Sequence, residues 1–458
     1  RFRQLDIPHS AVYAEGVAMD DPRTCAWLNP QGIRVLAWMN SDIPLDQQRR
    51  LLGGVADGEL PVLRRAGGEA STYVDFTHPR AADLCDAFWR HRLDIGVAGS
   101  MVDFGDRVPE DAVCHDGRRG DLMHNLYALD YHRHFHAAFA RRRGADFVLF
   151  SRSAAPGSQQ WLCQFSGDHQ PNFVGMHAAL RGMLNLCASG FPTVGGDIGG
   201  YFGWPDPEVY IRWVQLGCFS GLMRCHGTAP REPWEYGDET VSIYRFHAWL
   251  RENLLDTIAA AAARASTTGE PLMAPLGVAF PDDPAVAPCD DAFLFAGCLL
   301  VAPMLAPGVR RAVRFPAGGA WFDLWDGRRF DGGTAAEVDA PLAKVPVFVR
   351  AGAVLPVRLA PSLAWGESLS GGRETAVVVA VPSPSAGGSA ATVPCGAGTV
   401  ALTPVAEGFE FTLDGVPDTR YLILYGVPPE ALEEVRVQGR ALDRLTASQW
   451  PARPVGWV

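Results

Sequence analysis

The sequence predicts an α/β fold: a (β/α)8 TIM barrel whose first strand is missing, followed by C-terminal all-β sandwich domains. Over residues 1–270, short and nearly continuous apolar runs alternate with amphipathic helical stretches, which is typical of parallel strands buried on both faces. Helical periodicity then stops near residue 271, and a strand-like sequence rich in Gly and Pro follows. The length of 458 residues accommodates a barrel of about 250 residues and two smaller modules.

Seven apolar runs have the length of a strand. They are AVYAE (11–15), IRVLAWMN (33–40), VAGSMVDF (97–104), FVLFSR (147–152), WLCQFS (161–166), FPTVGG (191–196) and GLMRCH (221–226). Seven strands in a β-α-β-α series favour a barrel over an open sheet. The opening RFRQLDIPHS resembles the end of a helix that enters the next strand. We therefore expect the first strand and most of the first helix to lie upstream of residue 1.

Four helices are predicted from apolar positions that recur at helical spacing, over 79–93, 120–142, 172–188 and 239–264. Their apolar stripes are Leu84 and Phe88, then Leu122, Leu126 and Leu129, then Phe173, Met176, Leu180 and Met183. From these patterns we predict a barrel over 1–270, a proximal β-sandwich over 271–358 and a distal β-domain over 359–458, the last containing a turn-rich stretch at 383–398.

Composition excludes several classes of protein. Apolar residues make up 48% and charged residues 20% of the chain, which excludes a mostly disordered protein. A net charge of −11 argues against nucleic acid or anionic lipid as a partner, and no apolar run reaches the roughly 18 residues of a membrane span. Ten cysteines without a C-x-x-C pair indicate buried free thiols. The lack of a signal segment slightly favours the cytoplasm, and a homo-oligomer is left open.

Polar side chains follow five consecutive strands at the point where each strand ends: Asp103, Arg152, Asp168, Asp197 and His226. The carboxyl ends of barrel strands form the active-site face, so we expect these groups to face one opening. Two carboxylates there can divide into a nucleophile and an acid. The alternatives are a helix-capping role for each Asp, a structural ion pair for Arg152 and a core position for His226. Asp197 could also simply stabilise the glycine-rich turn GGDIGGYFG.

Other motifs in the sequence give less information about function. His132, His134 and His136 lie within the predicted helix 120–142 without the Glu of H-E-x-x-H, so we interpret them as surface residues of that helix. GGDIGG is not G-x-G-x-x-G, and neither a P-loop nor G-x-S-x-G occurs. These absences argue against a dinucleotide-binding, P-loop or α/β-hydrolase protein.

Several long motifs together resemble glycoside hydrolase family 31, which holds α-glucosidases, α-xylosidases and sulfoquinovosidases. They are SMVDFGDRVPEDA, LFSRSAAPGSQQW, FSGDHQPNF, SGFPTVGGDIGGYFGWPDPEVYIRWVQLGCFSGLMRCHGTAPREPWEYGDE and VPVFVRAGAVLP. The resemblance covers roughly residues 10–358, with the motifs in the family's order and spacing. The last hundred residues resemble only the family's variable distal β-domain.

The resemblance implies a retaining mechanism on an α-linked carbohydrate, with Asp103 as nucleophile and Asp168 as general acid/base. In retaining enzymes the two carboxyl groups lie about 5–5.5 Å apart, so that one attacks the anomeric carbon while the other protonates the leaving oxygen. The same two carboxylates serve an α-transglycosylase. The resemblance also implies no metal and no organic cofactor.

The resemblance also implies substrate-binding residues. Arg152 and His226 would bind hydroxyls of the sugar in the cleaved position, and Phe165 and Met101 would wall it. Asp197 is predicted to belong to the same site. The aromatics Trp204, Trp234 and Tyr236 either stack on a sugar or lie in the core.

Two departures from the family bear on substrate and activity. Glu15 is the only acidic residue that ends the first strand, where Asp is common in the family. Only 16 residues separate Glu15 from Gly32, so the family's substrate-contacting loop is expected to be lost. An α-glucoside and an α-xyloside both remain as substrates, and a degenerate, non-catalytic sugar-binding protein remains as the alternative to an enzyme. A metal-dependent barrel hydrolase is disfavoured because the histidine cluster lies in a helix.

Overall fold

The computed structural model describes residues 1–380, 391–395, 398–405, 408–414, 419–425, 436–437 and 440–441. The chain forms two compact units. The N-terminal unit is His9–Phe165, and the C-terminal unit combines Arg1–Pro8 with Ser166–Val458. Within the described ranges, no helix has both the length and the apolar character needed to cross a membrane.

Five parallel strands form the sheet of the N-terminal unit, in the order β1-β2-β5-β7-β8. Their bounds are β1 Ala11–Ala14, β2 Arg34–Met39, β5 Gly99–Val102, β7 Val148–Ser151 and β8 Cys163–Phe165. The middle strands are buried on both faces: Val35 and Ala37 on one face of β2 have no exposed surface, and on the other face Leu36 is 9% and Met101 of β5 is 2% exposed. All five strands lie within the runs that the sequence predicts.

The N-terminal unit also holds a small antiparallel sheet that the sequence analysis missed. It pairs β3 (Val62–Arg65) with β4 (Ala70–Val74) and β6 (Ala112–Val113). These strands are short and half exposed, so their apolar signal is weak. Between Glu15 and Gly32 the chain makes a 3-10 turn and the short helix α1 (Pro22–Leu28), whose N-cap Asp21 accepts a hydrogen bond from the Arg23 amide at 2.9 Å.

The predicted helix 120–142 is two helices, α4 (Gly120–Met123) and α5 (Tyr127–Arg143). The predicted leucine stripe is wrong, because Leu122 is 68% and Leu126 45% exposed. The buried stripe of α5 is instead Tyr127, Ala128, Tyr131, His132, Phe135, Ala138 and Phe139. The buried positions Gly120 and Met123 of α4 continue at helical spacing into Tyr127, Tyr131 and Phe135 of α5, so aromatic side chains rather than leucines form the stripe that faces the core. His132 is therefore fully buried, which corrects its assignment to the surface. Two further helices are α2 (Leu45–Leu51) and α3 (Ala81–Asp94).

The C-terminal unit begins with α6 (Phe173–Ala188), β9 (Val194–Ile198), α7 (Pro207–Cys218) and β10 (Leu222–Cys225). Strands β9 and β10 are parallel, with Asp197 opposite Arg224. The predicted helix 239–264 is divided at Leu254 into α8 (Asp238–Asn253) and α9 (Leu255–Thr268). The predicted apolar stripe of α6 is confirmed, with Met176, Leu180 and Met183 buried.

After α9 the C-terminal unit is built of sheets, as predicted. Antiparallel strands form a six-stranded sheet of β11 (Met273–Pro275), β12 (Phe293–Phe295), β13 (Leu299–Val301), β18 (Val347–Arg350), β15 (Ala320–Asp323) and β16 (Arg329–Asp331). A separate pair is β14 (Arg310–Arg314) with β17 (Ala335–Asp339), and α10 (Leu276–Ala279) follows β11. The remaining strands are β19 (Val354–Leu359), β20 (Glu374–Ala380), β21 (Ala391–Cys395), β22 (Gly398–Val405), β23 (Gly408–Asp414), β24 (Thr419–Tyr425), β25 (Arg436–Val437) and β26 (Arg440–Ala441).

The six-stranded sheet is buried on both faces, which explains its continuous apolar runs. Phe293 and Phe295 face the core formed with helices α6 to α9, and Leu294 between them faces the core shared with β14 and β17. The core that includes α6 to α9 thus continues into the C-terminal sheets. The compact C-terminal unit accordingly runs through residue 270, where the sequence analysis places a domain boundary. The nine cysteines from Cys25 to Cys298 are free thiols, as predicted.

Candidate active site

In the N-terminal unit, Asp103 follows directly after β5 and is 7% exposed. Its amide donates to the Met39 carbonyl at 2.6 Å, which extends the β2–β5 ladder. Each carboxylate oxygen accepts one hydrogen bond: Oδ2 from the Trp38 indole at 3.1 Å, and Oδ1 from the Phe104 amide at 2.8 Å. Two donors on two elements therefore hold the carboxylate in one orientation.

Arg152 follows β7 and points towards the same carboxylate. Its Nε lies 3.7 Å from Asp103 Oδ1 and donates to Asp106 Oδ2 at 3.3 Å, and the guanidinium carbon lies 4.4 Å from the centre of the Phe104 ring. The Arg152 side chain is 17% exposed. The structure thus brings together two residues that the sequence analysis placed in one site.

The turn after Asp103 has unusual backbone angles. Phe104 has a φ of 55° and Gly105 a φ of 87°, and the latter favours glycine. Tyr131 on α5 supports this turn, because its hydroxyl donates to the carbonyl of Asp103 at 3.2 Å. A buried tyrosine therefore fixes the backbone that carries the carboxylate.

Three other predicted residues lie in the N-terminal unit. Met101 on β5 and Phe165 at the end of β8 are 2% and 1% exposed, and the Phe165 ring lies 6.3 Å from that of Phe150. Glu15 is exposed and makes no capping hydrogen bond to the 3-10 turn that follows it.

In the C-terminal unit, Asp168 is exposed in the loop after β8, preceded by Gly167 with a φ of 89°. The neighbouring His169 ring folds back, and its Nε2 lies 3.0 Å from the Ser166 carbonyl. The His169 carbonyl accepts a hydrogen bond from the Tyr201 amide at 2.8 Å, which links this loop to the one after β9.

Asp197 is the most buried carboxylate of the predicted set, with 1% exposure. Its Oδ1 pairs with the Arg224 guanidinium from the neighbouring strand, a consequence of the β9–β10 register. Its Oδ2 is buried and has no hydrogen-bond partner. Burial raises the pKa of Asp197 to about 6, with a further increase from the Asp168 carboxylate, while Arg224 and Arg231 oppose it.

His226 follows β10, and its ring lies 5.3 Å from that of Tyr201. Burial lowers the pKa of His226 to about 4, and the nearby Arg224 and Arg231 lower it further, so the imidazole is neutral at pH 7. Arg231 is buried and holds the loop after β9, donating to the carbonyls of Gly200 at 2.7 Å and Gly203 at 2.8 Å.

The three aromatics that the sequence analysis left open differ in exposure. Trp204 is 57% exposed, whereas Trp234 and Tyr236 are half-buried. Tyr236 stacks on Tyr210 with ring centres 4.3 Å apart, and Trp204 lies 5.8 Å from Tyr236. Tyr236 is therefore packed against the core, and Trp204 offers an open ring.

Sequence reasoning missed Trp38, Tyr131, Arg224 and Arg231. Trp38 and Arg224 each lie one residue before the end of their strand, so a search for polar or aromatic residues at strand ends would have found them if widened by one position. No local pattern indicates Tyr131 or Arg231, because their partners are backbone carbonyls distant in the sequence. Among the described residues, no three His, Cys, Asp or Glu side chains are grouped so that they could hold a metal ion.

Comparison with known proteins agrees with this arrangement of strands and sheets. Residues 8–261 match the family model of the glycosyl hydrolases family 31 TIM-barrel domain, and residues 269–355 match that of the glycosyl hydrolase family 31 C-terminal domain. These matches confirm the predicted barrel followed by C-terminal β-sheet domains.

Curated relatives and solved structures are similar as well. The chain is 29% identical to an alpha-xylosidase of Emericella nidulans over 76% of this chain and 46% of that protein. It is also 29% identical to an isomaltosyltransferase of Sporosarcina globispora, over 78% of this chain and 35% of that protein. The fold is similar to that of a Flavobacterium johnsoniae GH31 dextranase, with a TM-score of 0.81 at 21% identity over 98% of this chain and 63% of that one. The chain thus spans less than half the length of these two curated relatives.

Proposed function

The chain belongs to glycosyl hydrolase family 31, and we propose that it acts as a retaining α-glycoside hydrolase by double displacement. The proposed substrate is an α-linked carbohydrate, either an α-glucoside or an α-xyloside. We further propose the domain division 1–270, 271–358 and 359–458, with the catalytic residues in the first.

The observation that carries this proposal is the immobilised carboxylate of Asp103. A nucleophile that attacks an anomeric carbon must be aimed at it. Hydrogen bonds from Trp38 and from the Phe104 amide each hold one carboxylate oxygen of Asp103, and the Arg152 Nε lies 3.7 Å from Oδ1. In the first step, Asp103 Oδ attacks C1 and the glycosidic bond breaks, which leaves a glycosyl ester on Asp103.

We assign Asp168 as the general acid/base. It protonates the leaving oxygen in the first step and removes a proton from water in the second, which releases the sugar with its configuration retained. Its exposed position in a loop is consistent with access to a leaving group and to water. Arg152, His226 and Asp197 are proposed to bind sugar hydroxyls, Phe165 and Met101 to wall the sugar, and Glu15 to contribute at the edge.

The test uses an aryl α-glucoside and an aryl α-xyloside with the wild type, Asp103→Asn and Asp168→Asn. We expect the wild type to cleave one of them and Asp103→Asn to lose activity by about 10⁴-fold or more, because no covalent intermediate can form. Asp168→Asn should retain activity on leaving groups that need no protonation. Azide should restore Asp168→Asn to give an α-glycosyl azide and Asp103→Asn to give the β-anomer.

A 5-fluoro glycosyl substrate gives an independent readout, since it slows hydrolysis of the ester. The wild type should gain the mass of one glycosyl group on the peptide that contains Asp103. Sugar binding without any adduct or turnover would identify a degenerate, sugar-binding protein and refute the proposed mechanism.

Transglycosylation is a second candidate because a relative named isomaltosyltransferase matches over 78% of this chain. It uses the same glycosyl ester, with a sugar hydroxyl in place of water. The ratio of transfer product to free sugar, measured as the acceptor concentration rises, distinguishes the two outcomes.

A further inference from the structure

A cluster of buried hydroxyls surrounds the imidazole of His132 in the N-terminal unit. His132 has no exposed surface, and neither do Ser151 and Ser158. Nδ1 lies 3.0 Å from Ser158 Oγ, and Nε2 lies 3.1 Å from Ser151 Oγ and 3.4 Å from Ser153 Oγ. Both ring nitrogens are therefore engaged, although the sequence pattern alone places this histidine on the helix surface.

The imidazole is neutral, because burial lowers the pKa of His132 to about 3. Ser158 Oγ already accepts the Ala155 amide at 3.3 Å, so its own proton can be donated to Nδ1. Nε2–H then donates to Ser151 Oγ, whose proton can go to Ser153 Oγ at 3.2 Å. This assignment gives each hydroxyl proton of Ser151 and Ser158 an acceptor, which matters because an unpaired buried polar group is costly.

Gln164 on β8 holds the same segment from its other side. It has no exposed surface, and in the orientation that satisfies its surroundings its amide nitrogen donates to the carbonyls of Ser151 at 2.8 Å and Ser153 at 3.0 Å. The residues on either side of Arg152 are thus fixed twice, by hydroxyl contacts to His132 and by carbonyl contacts to Gln164. The Arg152 side chain extends from this segment to Asp103 and Asp106.

Helix α5 supports both halves of this arrangement with consecutive residues. Tyr131 donates to the carbonyl of Asp103, and His132 holds the hydroxyls beside Arg152. Added at Gly105, a Cβ would lie 2.9 Å from the Tyr131 ring and 3.0 Å from Ser153 Oγ, so the two supported segments also approach each other closely.

We propose that His132 and Gln164 are positioning residues for Arg152: they fix the backbone on both sides of it and so aim its guanidinium at Asp103 and at the sugar hydroxyl it binds. Neither residue touches the substrate. The role assigned to the guanidinium rests on the proposed function, whereas the positioning itself is a property of the free protein.

The experiment compares His132→Leu and His132→Gln with His247→Leu. His247 is a matched control: it too is fully buried, burial lowers its pKa to about 4, and its Nδ1 bonds the Ile243 carbonyl at 2.8 Å in the C-terminal unit. Each variant is made in the wild-type and in the Arg152→Ala background, and kcat/KM is measured on the aryl α-glycoside that the wild type cleaves.

We expect His132→Leu to lower kcat/KM by about tenfold or more in the wild-type background, since misplacing a binding group by about 1 Å can cost a hundredfold. In the Arg152→Ala background the loss should shrink to less than about twofold, because the group being positioned is gone. His132→Gln keeps a donor towards Ser151 and should recover most of the activity. His247→Leu should lower stability without lowering kcat/KM. Equal losses from His132→Leu in both backgrounds would overturn the proposal.

A second readout separates this proposal from the proposed function. In protein labelled with 15N-arginine, the Arg152 Nε–H signal is assigned by its absence in Arg152→Ala. We expect one sharp signal in the wild type and in His247→Leu, and a broadened or shifted one in His132→Leu, even if no glycoside is cleaved. An unchanged signal refutes the positioning role, and absent turnover with an altered signal refutes only the enzymatic assignment. If His132→Leu does not fold, Gln164→Met removes the carbonyl contacts at similar volume and is judged by the same criteria.

Discussion

Gly105→Ala tests how tightly the turn that carries Asp103 is packed. Gly105 is buried with a φ of 87°, and a Cβ there would lie 2.9 Å from Tyr131 Cδ1 and 3.0 Å from Ser153 Oγ. Alanine at positive φ costs about 1–2 kcal/mol, and overpacking a dense site adds about 1–3 kcal/mol. We therefore expect Gly105→Ala to lower the free energy of unfolding by about 2–5 kcal/mol.

Gly117→Ala is the matched control in the same unit. Gly117 has a φ of 86°, is exposed, and a Cβ there would meet no atom within 4 Å. It therefore carries the backbone cost of about 1–2 kcal/mol without the packing cost. The difference between the urea midpoints of the two variants therefore measures the packing cost at Gly105 alone.

Activity gives the second half of this test. If Gly105→Ala moves the Asp103 carboxylate by about 1 Å, kcat/KM should fall by about 100-fold at temperatures where the variant is folded, while Gly117→Ala stays near the wild type. Ser153→Ala, which removes the oxygen at 3.0 Å, should restore part of the lost stability. Equal urea midpoints for the two glycine variants, with equal activity, would refute the packing argument.

Three further outcomes are expected. Trp38→Phe removes the indole donor 3.1 Å from Asp103 Oδ2, one of the two hydrogen bonds that orient the carboxylate; if the carboxylate shifts by about 1 Å, kcat should fall by about 100-fold with a smaller change in KM, and an unchanged kcat would argue against orientation of Asp103 by the indole. Because the folded-state pKa of Asp197 is raised to about 6, the folded state binds more protons than the unfolded state between about pH 4 and 6. The free energy of unfolding should therefore fall as pH rises through that window, by at most about 3 kcal/mol. Urea titrations of Asp197→Asn should show no such slope. Arg231→Lys and Arg212→Lys each remove guanidinium hydrogen bonds to several backbone carbonyls and should lower Tm to a similar extent. Only Arg231→Lys should reduce kcat/KM, because only Arg231 holds the loop after β9. An equal loss of kcat/KM in both variants would indicate a purely structural role for Arg231.

The strand-end argument shows how far sequence reasoning reaches at the site. Asp103 and Arg152 were found because a strand buried on both faces is apolar until it ends, so the first charged residue after it marks the edge of the sheet. Asp197 differs, because it lies within β9, one residue before the end of the strand. The rule does not identify Arg224, whose position opposite Asp197 follows from the register between β9 and β10 rather than from either strand alone.

His132 shows where a local pattern fails. The leucines of the predicted helix 120–142 indicate a buried face that does not include His132. His132 instead lies on the buried stripe of α5 beside Tyr131 and contacts the hydroxyls that flank Arg152. Which face of this helix is buried is decided by packing against neighbouring elements.

The sequence by itself determined the order of the parallel strands, the change to sheets after about residue 270 and the carboxylates near the strand ends, because apolar periodicity is a local property. Only the tertiary structure decided which groups hold those carboxylates, namely the Trp38 indole on Asp103 and the Arg224 guanidinium on Asp197. It also decided which backbone carbonyls Arg231 binds. These partners are distant along the chain or set by strand register. Their pairing is driven by the cost of burying a charge or polar group alone, which no single segment of sequence records.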